Sequence, residues 1–383
     1  MGESSSIHPR CIQKNHTGLK KLSIGILGTR GIPNNYGGFE QFAQHLAPGL
    51  VQRGHSVYVY NSHHHPYKEK EWKGVQLISC RDPQPSIGTA GQFLYDKNCL
   101  RDARRRNYDV LLHLGYSSDA IWHRKWPADT FNIVNMDGLE WKRSKYNAIT
   151  RRFLRWSESM AAKHAELLIA DSPGIRDHLY QAYHKQAVYI PYGASIFNDP
   201  DPAIPNTYGL MPGQYYLLIA RMEPENNIEM IIRGWLLSGK KFPLLIIGNI
   251  SNRYGRYITR NYIHPAIKYF EPIYEPHILN NLRYHSGLYF HGHSVGGTNP
   301  SLLEAMACGC RIAAHDNVFN KAVLDTGADY FSSAGQISEI INAPTGQLVV
   351  ENRKQHNLEK LRTVYDHEKV IDAYEEVMLK AVR

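Results

Sequence analysis

The segment Gly296-Gly297-Thr298-Asn299-Pro300-Ser301-Leu302-Leu303-Glu304 sets small residues before a helix and a carboxylate about one turn inside it. A helix start offers unpaired N–H groups and the positive end of the helix dipole, which together attract phosphate. Gly296 and Gly297 let the backbone approach a ligand closely. Pro300 suits a first helical position, where its missing N–H would be unpaired anyway. With Gly297, Thr298, Asn299, Pro300 and Ser301 around a diphosphate, Glu304 is placed to accept hydrogen bonds from a sugar hydroxyl. Diphosphate beside a polyol describes a nucleotide-sugar. The structural alternative is a tight strand-to-helix turn with a surface glutamate.

Other residues could serve the same chemistry. Arg221, at the end of an apolar run, offers a fork of donors for a diphosphate. Glu225 could bind donor hydroxyls, or complement the dipole of the helix it precedes. Asp137 follows the apolar run Phe131–Asn135 and could hold a hydroxyl or assist proton removal; a helix N-cap is its structural role. Lys142 lies five residues further on and could neutralise phosphate. Gly37 and Gly38 either approach the donor or form an ordinary turn. His291 and His293 either pack under the loop or touch the sugar. Asp199-Pro200-Asp201 has the spacing of a metal motif but lies in linker composition and reads as a turn. His63-His64-His65 lacks a neighbouring carboxylate and reads as a solvated loop. Cys308 and Cys310 fall short of a zinc set, which needs two more ligands. No metal is expected to be required.

The 383 residues suggest two domains, and the apolar fraction of 43% is that of a globular protein. No apolar run is long enough to span a membrane. The polar stretch 1–20 is expected to be a flexible extension rather than a secretory signal. Five scattered cysteines argue against a disulfide framework and for a reducing, cytoplasmic location. The net charge of +9 favours anionic partners. Basic residues concentrate at Arg101, Arg104–Arg106, Lys142, Arg143, Lys145, Arg151, Arg152 and Arg155, with Trp126, Trp141 and Trp156 among them. Arginine with tryptophan suits an anionic membrane surface, though solvated helix faces and core aromatics account for the same pattern. A nucleic-acid binder would need a continuous basic stripe, and none is expected.

Strands are predicted at Leu22–Leu27, Ser56–Tyr60, Asp109–Leu114, Phe131–Asn135, Leu167–Ala170 and Ala187–Pro191, with helical stretches between. Phe42, Leu46 and Leu50 give Phe39–Gln52 one apolar face, weakened by Pro48. After the Pro/Asn/Asp-rich stretch 198–212 the alternation restarts, with strands at Tyr215–Ala220, Leu244–Ile247, Leu288–His291 and Arg311–Ala314. Two β-α-β sets joined by a linker predict an α/β protein of two Rossmann-like domains facing across a cleft. The expected division is 21–197, 198–366 and a terminal helix, 367–383, crossing back to the first domain. The first strand ends in Gly28-Thr29-Arg30-Gly31-Ile32-Pro33, and no acid follows the second strand, which excludes a dinucleotide fingerprint.

Taken together, these features resemble retaining glycosyltransferases of the GT-B fold, the clan of glycogen synthase and sucrose synthase. In that alignment Glu304 is the second glutamate of an E-x7-E signature, and Gly296 stands at the first. Arg221 is kept, and Asn226 stands where the resemblance implies a lysine for the diphosphate. Gly28-Thr29-Arg30-Gly31-Ile32-Pro33, Tyr36-Gly37-Gly38-Phe39-Glu40, Asp137-Gly138-Leu139-Glu140-Trp141-Lys142-Arg143, Pro224-Glu225-Asn226-Asn227 and His291 to Pro300 resemble bacterial rhamnosyltransferases of surface polysaccharide assembly. The resemblance implies dTDP-L-rhamnose as donor and a polyprenyl-diphosphate-linked sugar as acceptor, at the inner face of the plasma membrane. It implies retention by same-face attack, with the leaving phosphate accepting the acceptor's proton. Another UDP- or GDP-sugar as donor, or a nucleotide-sugar 2-epimerase of the same fold, are the alternatives.

Overall fold

The computed structural model describes residues 20–35, 37–143, 146–239 and 242–382. The stretch 1–19 with Cys11, Tyr36, Lys145 and Arg383 lie outside the described residues.

The first half is built on strands β1 (Ser23–Leu27), β2 (Ser56–Ser62), β3 (Glu71–Trp72), β4 (Val75–Cys80), β5 (Val110–Leu114), β6 (Phe131–Asn135), β7 (Leu167–Ala170) and β8 (Ala187–Tyr189). They form an eight-stranded sheet in the order β3-β4-β2-β1-β5-β6-β7-β8. Every pairing is parallel except β3 with β4. The second half holds β9 (Tyr216–Ile219), β10 (Leu244–Ile247), β11 (Ile267–Phe270), β12 (Leu288–His291), β13 (Ile312–His315) and β14 (Asp329–Phe331), a six-stranded parallel sheet in the order β11-β10-β9-β12-β13-β14. Central strands of such sheets are covered on both faces, which is why β10 is apolar throughout, and β1 and β5 are apolar apart from Ser23 and the buried His113, rather than alternating. Each half is Rossmann-like.

Most predicted strands and helices recur within a residue or two. Elements that periodicity did not pick out include β3, β4, β11, β14 and the helices Arg253–Asn261, Pro276–Tyr284, Val318–Leu324, Ala334–Asn342 and Gln347–Thr363. The strands among them lie at or next to the sheet edges, where short, mixed sequences suffice. Pro48 does not interrupt its helix, which runs unbroken from Gly38 to Gln52 with Pro48 buried. Gly28 closes the turn after β1: its φ is +94°, and a Cβ there would run into the Leu114 carbonyl.

The terminal helix His367–Ala381 packs on the first half. Ile371 fills the space over Gly49. Tyr374 lies against Phe42 at 5.2 Å between rings, and its hydroxyl accepts a hydrogen bond of 2.9 Å from Asn135 Nδ2. Arg53 pairs with Glu368 at 3.0 Å, Asp372 at 2.5 Å and Glu375 at 3.2 Å, and His55 Nε2 lies 2.9 Å from Glu375. Asn135 also fixes the start of the next loop, because its Oδ1 accepts from the Asp137 N–H at 3.0 Å. Truncating the buried ring of Tyr374 removes both contacts. Tyr374→Ala should cost about 3–5 kcal/mol, the usual range for a large buried ring. Urea denaturation checks this, and an unchanged midpoint would show that the helix is not part of the folded core.

Candidate active site

The carboxyl ends of both parallel sheets face one cleft, and the loops leaving β6, β7, β9 and β12 line it. After β12 the chain passes through His293 and Ser294 to Gly296, whose φ is +132°. Asn299 caps the helix Pro300–Ala307, its side chain accepting from the Ser301 N–H at 2.9 Å. Thr298 donates its hydroxyl to the Asp171 carbonyl, at the end of β7, over 2.6 Å. A Cβ on Gly297 would overlap the Asp171 carboxylate, so only glycine fits this approach. Gly138 meets Gly296 less tightly, with a built Cβ falling 3.0 Å from Gly296 Cα. The phosphate-type loop of the second half thus rests directly on the first.

Gly37 and Gly38 lie at the start of the helix Gly38–Gln52, and a Cβ on Gly38 would sit 3.8 Å from Pro300 Cγ across the cleft. Three residues further along, the Gln41 side-chain amide donates to one oxygen of Glu304. The other oxygen of Glu304 pairs with the Arg283 guanidinium, which is fully buried. Arg283 also reaches Ser301 Oγ at 3.2 Å, and Ser301 lies 2.9 Å from the Tyr289 hydroxyl. Glu304 is therefore oriented from beneath by a cation and capped from the other half by an amide that a polyol could replace.

After β9, Arg221 is exposed on the cleft while Glu225 and Asn226 are buried. The Asn226 amide donates to the Arg221 carbonyl at 2.7 Å, which closes this turn and points the amide at the backbone rather than at the cleft. The Glu225 carbonyl accepts from the Ser294 N–H at 3.0 Å and the Ser294 hydroxyl at 2.8 Å, joining this turn to the loop after β12. His291 and His293 stack at 4.4 Å beneath that loop. Burial, with His315 adding to it, pushes His291 down to about 3. Burial, then His291, Arg221 and Arg143, hold His293 well below the ordinary histidine range. Both rings are neutral packing at working pH.

From the first half, Asp137 adopts φ +46° and accepts from the Tyr192 hydroxyl at 3.3 Å; the helical turn that follows is capped by Leu139, not by Asp137. Lys142 is exposed above the Trp141 ring at 5.4 Å. The next residue, Arg143, is half-buried and lies 2.5 Å from Glu140 and 3.9 Å from Glu223 of the second half. Asp171 is buried, and neither carboxylate oxygen has a hydrogen-bond partner among the described residues. Burial, and then the Asp137 carboxyl, push it well above the usual carboxylate range.

The structure thus brings together Gly37, Gly38, Asp137, Arg221, Gly297, Thr298, Asn299, Pro300, Ser301 and Glu304, turns Asn226 inward and leaves Lys142 exposed over the Trp141 ring. Sequence reasoning missed Asp171, Arg283, Gln41 and Arg143 as site residues. Asp171 ends a predicted strand, a signal of position that was available. Arg283 sits in a helix with no mark of its burial. Away from the cleft, the Asp201 carboxylate takes the Ala203 N–H in a turn, and His63 and His64 bind the backbone of Asp82. No group of three or more His, Cys, Asp or Glu side chains able to hold a metal occurs among the described residues.

A family described as a domain of unknown function, DUF1972, matches residues 21–195. No curated protein matches the sequence. Among solved structures, sucrose-phosphate synthase from Thermosynechococcus elongatus is similar with a TM-score of 0.76 and 14% identity over 94% of this chain and 99% of that one. HepE from Anabaena, in complex with UDP-glucose, gives a TM-score of 0.73 and 13% identity over 93% and 99%. The α,α-trehalose 6-phosphate synthase from Burkholderia multivorans gives 0.69 and 11% over 94% and 97%. The chain has the GT-B fold, two Rossmann-like domains across a cleft.

The buried neutral histidines make acid stability testable. A histidine lowered by folding contributes fully above its unfolded value of about 6.5, and that contribution is lost as pH falls below it. His291 has no hydrogen bond to lose at either ring nitrogen. His291→Phe should therefore show a smaller drop in urea midpoint between pH 7 and pH 5 than the unsubstituted protein. An equal drop in both would mean that His291 takes up its proton without opening the structure.

Proposed function

We propose that the protein is a retaining glycosyltransferase that moves a sugar from a nucleotide-sugar donor to a lipid-diphosphate-linked saccharide, with dTDP-L-rhamnose as the donor. The observation that carries this reading is the meeting, in one cleft, of an amide-lined helix start with an oriented carboxylate and an exposed arginine. The loop Gly297–Ser301 would hold the distal phosphate through its N–H groups. Arg221 would balance the charge that develops on the leaving diphosphate. Glu304, held by Arg283, would take a hydroxyl of the nucleotide's sugar in place of Gln41. Asp137, on the opposite wall, would orient a hydroxyl of donor or acceptor. Glu225 would act through its turn, holding Ser294 and the loop after β12.

Similar folds support the donor class: HepE is in complex with UDP-glucose, and sucrose-phosphate synthase is named for a glycosyl product. The rhamnose donor and lipid-linked acceptor rest on the resemblance of the sequence blocks. A membrane-borne acceptor fits the helix Ala148–His164, which exposes Ile149 at 82% and Trp156 at 46% beside Arg151, Arg152 and Arg155. No helix among the described residues is long and apolar enough to cross a membrane.

The test is transfer from dTDP-L-rhamnose, UDP-glucose, UDP-GlcNAc and GDP-mannose to a short lipid-diphosphate-sugar. Transfer from dTDP-L-rhamnose alone is expected. Arg221→Ala and Glu304→Gln should each lower the rate by about tenfold or more through lost charge-assisted contacts. Normal rates in both variants would overturn the site, and turnover of donor without acceptor would favour an epimerase.

A further inference from the structure

One cation is missing from this site as the sequence presents it. A nucleoside diphosphate carries more negative charge than Arg221 alone can balance, and loss of that charge stabilisation would be costly in a water-poor cleft. Asn226 cannot supply it, because its amide is neutral, buried and spent on the Arg221 carbonyl. Lys142 is exposed, its ammonium 5.4 Å from the centre of the Trp141 ring, and forms no ion pair to the second half among the described residues, unlike Arg143.

We propose that Arg143 is the second cation of the diphosphate site, delivered by the first half across the cleft to act beside Arg221. The inference rests on the nucleotide-sugar reading above. Arg143 is half-buried, with its side chain 14% exposed. It bridges the two halves, with Glu140 of the first at 2.5 Å and Glu223 of the second at 3.9 Å. Glu223 lies between Arg221 and Glu225, in the turn that carries the other cation. Both guanidinium groups act on the Glu140 carboxyl and on the His293 ring, which leads into the loop Gly296–Ser301. The two arginines therefore converge from opposite walls on the entrance to the same loop.

The geometry also shows how the charge is kept until it is needed. Glu140 and Glu223 balance Arg143, so no bare cation is buried. A guanidinium is a planar fork of five donors. Arg143 can keep its close bond to Glu140 on one edge and turn the other from the loose Glu223 contact to a phosphate oxygen. A lysine has no second edge to offer, which sets Arg143 apart from its neighbour. The same contact, formed only when both halves are near, makes diphosphate affinity depend on closure.

A plain interdomain ion pair would predict something different, and calorimetric titration separates the two. UDP, dTDP, GDP and the monophosphate UMP are titrated into the full-length protein and into Arg143→Gln, Lys142→Ala and Glu223→Gln, with melting curves to confirm folding. Arg143→Gln should weaken binding of the preferred diphosphate by about tenfold or more, as for loss of a charge-assisted contact, and UMP by less than about twofold. Its diphosphate affinity should also fall less steeply with added salt. Lys142→Ala should bind as the unsubstituted protein does. Glu223→Gln, which frees Arg143, should bind the diphosphate as tightly or more tightly, and it decides the matter if Arg143→Gln does not fold. Equal weakening of UMP and diphosphate in Arg143→Gln, or unchanged diphosphate binding, would overturn the proposal, as would weaker diphosphate binding by Glu223→Gln. Failure of the unsubstituted protein to bind any of the three diphosphates would instead remove the nucleotide-sugar reading itself.

Discussion

The cleft depends on one steric constraint: the loop Gly296–Thr298 of the second half lies in direct contact with the first. Gly297 is pressed on the Asp171 carboxylate, Gly296 meets Gly138, and the Thr298 hydroxyl is bound to the Asp171 carbonyl. A side chain at 297 would hold the halves apart. With glycine there, the loop after β12 lies directly against the ends of β6 and β7. The close approach has a cost, a carboxyl buried without a hydrogen-bond partner, and burial favours its neutral form.

Charge balance across the cleft follows from that contact. Arg283 beneath Glu304, and Arg143 among Glu140 and Glu223, are ion pairs whose members come from different elements or different halves. Such pairs contribute little net stability once desolvation is counted. Their value here is orientation: Arg283 fixes the Glu304 carboxylate, and Arg143 is held between Glu140 and Glu223. The terminal helix extends the same logic to the far wall. Tyr374 holds Asn135, and Asn135 holds the Asp137 N–H, so a helix that follows the second half in sequence fixes a loop of the first.

The fold was largely legible because both halves repeat one pattern of buried apolar strands alternating with amphipathic helices. The helix start after β12 was legible too, since glycine and proline at those spacings answer its local demands. Legibility failed where a residue's role is set by an element distant in sequence or by the geometry of a short turn. Arg283 looks like a surface arginine until its helix is placed under Ser301 and Glu304. Gln41 gains meaning only from Glu304, 263 positions away. Lys142 and Arg143 are adjacent basic residues, and which one faces the cleft depends on the helical turn Glu140–Lys142. Asn226 turns its amide onto the Arg221 carbonyl, a contact that its place in the sequence does not announce.

The central claim is that a nucleoside diphosphate sugar bridges the loop after β12 and the loop after β6 in one site. Hydrogen exchange read by mass spectrometry, with and without saturating dTDP-L-rhamnose or UDP-glucose, tests that claim most directly. The account predicts that one of these donors slows exchange in two separate segments, 293–307 and 137–143, while the outer faces of both sheets stay unchanged. Protection confined to one half, or found elsewhere with both segments unaffected, would contradict it.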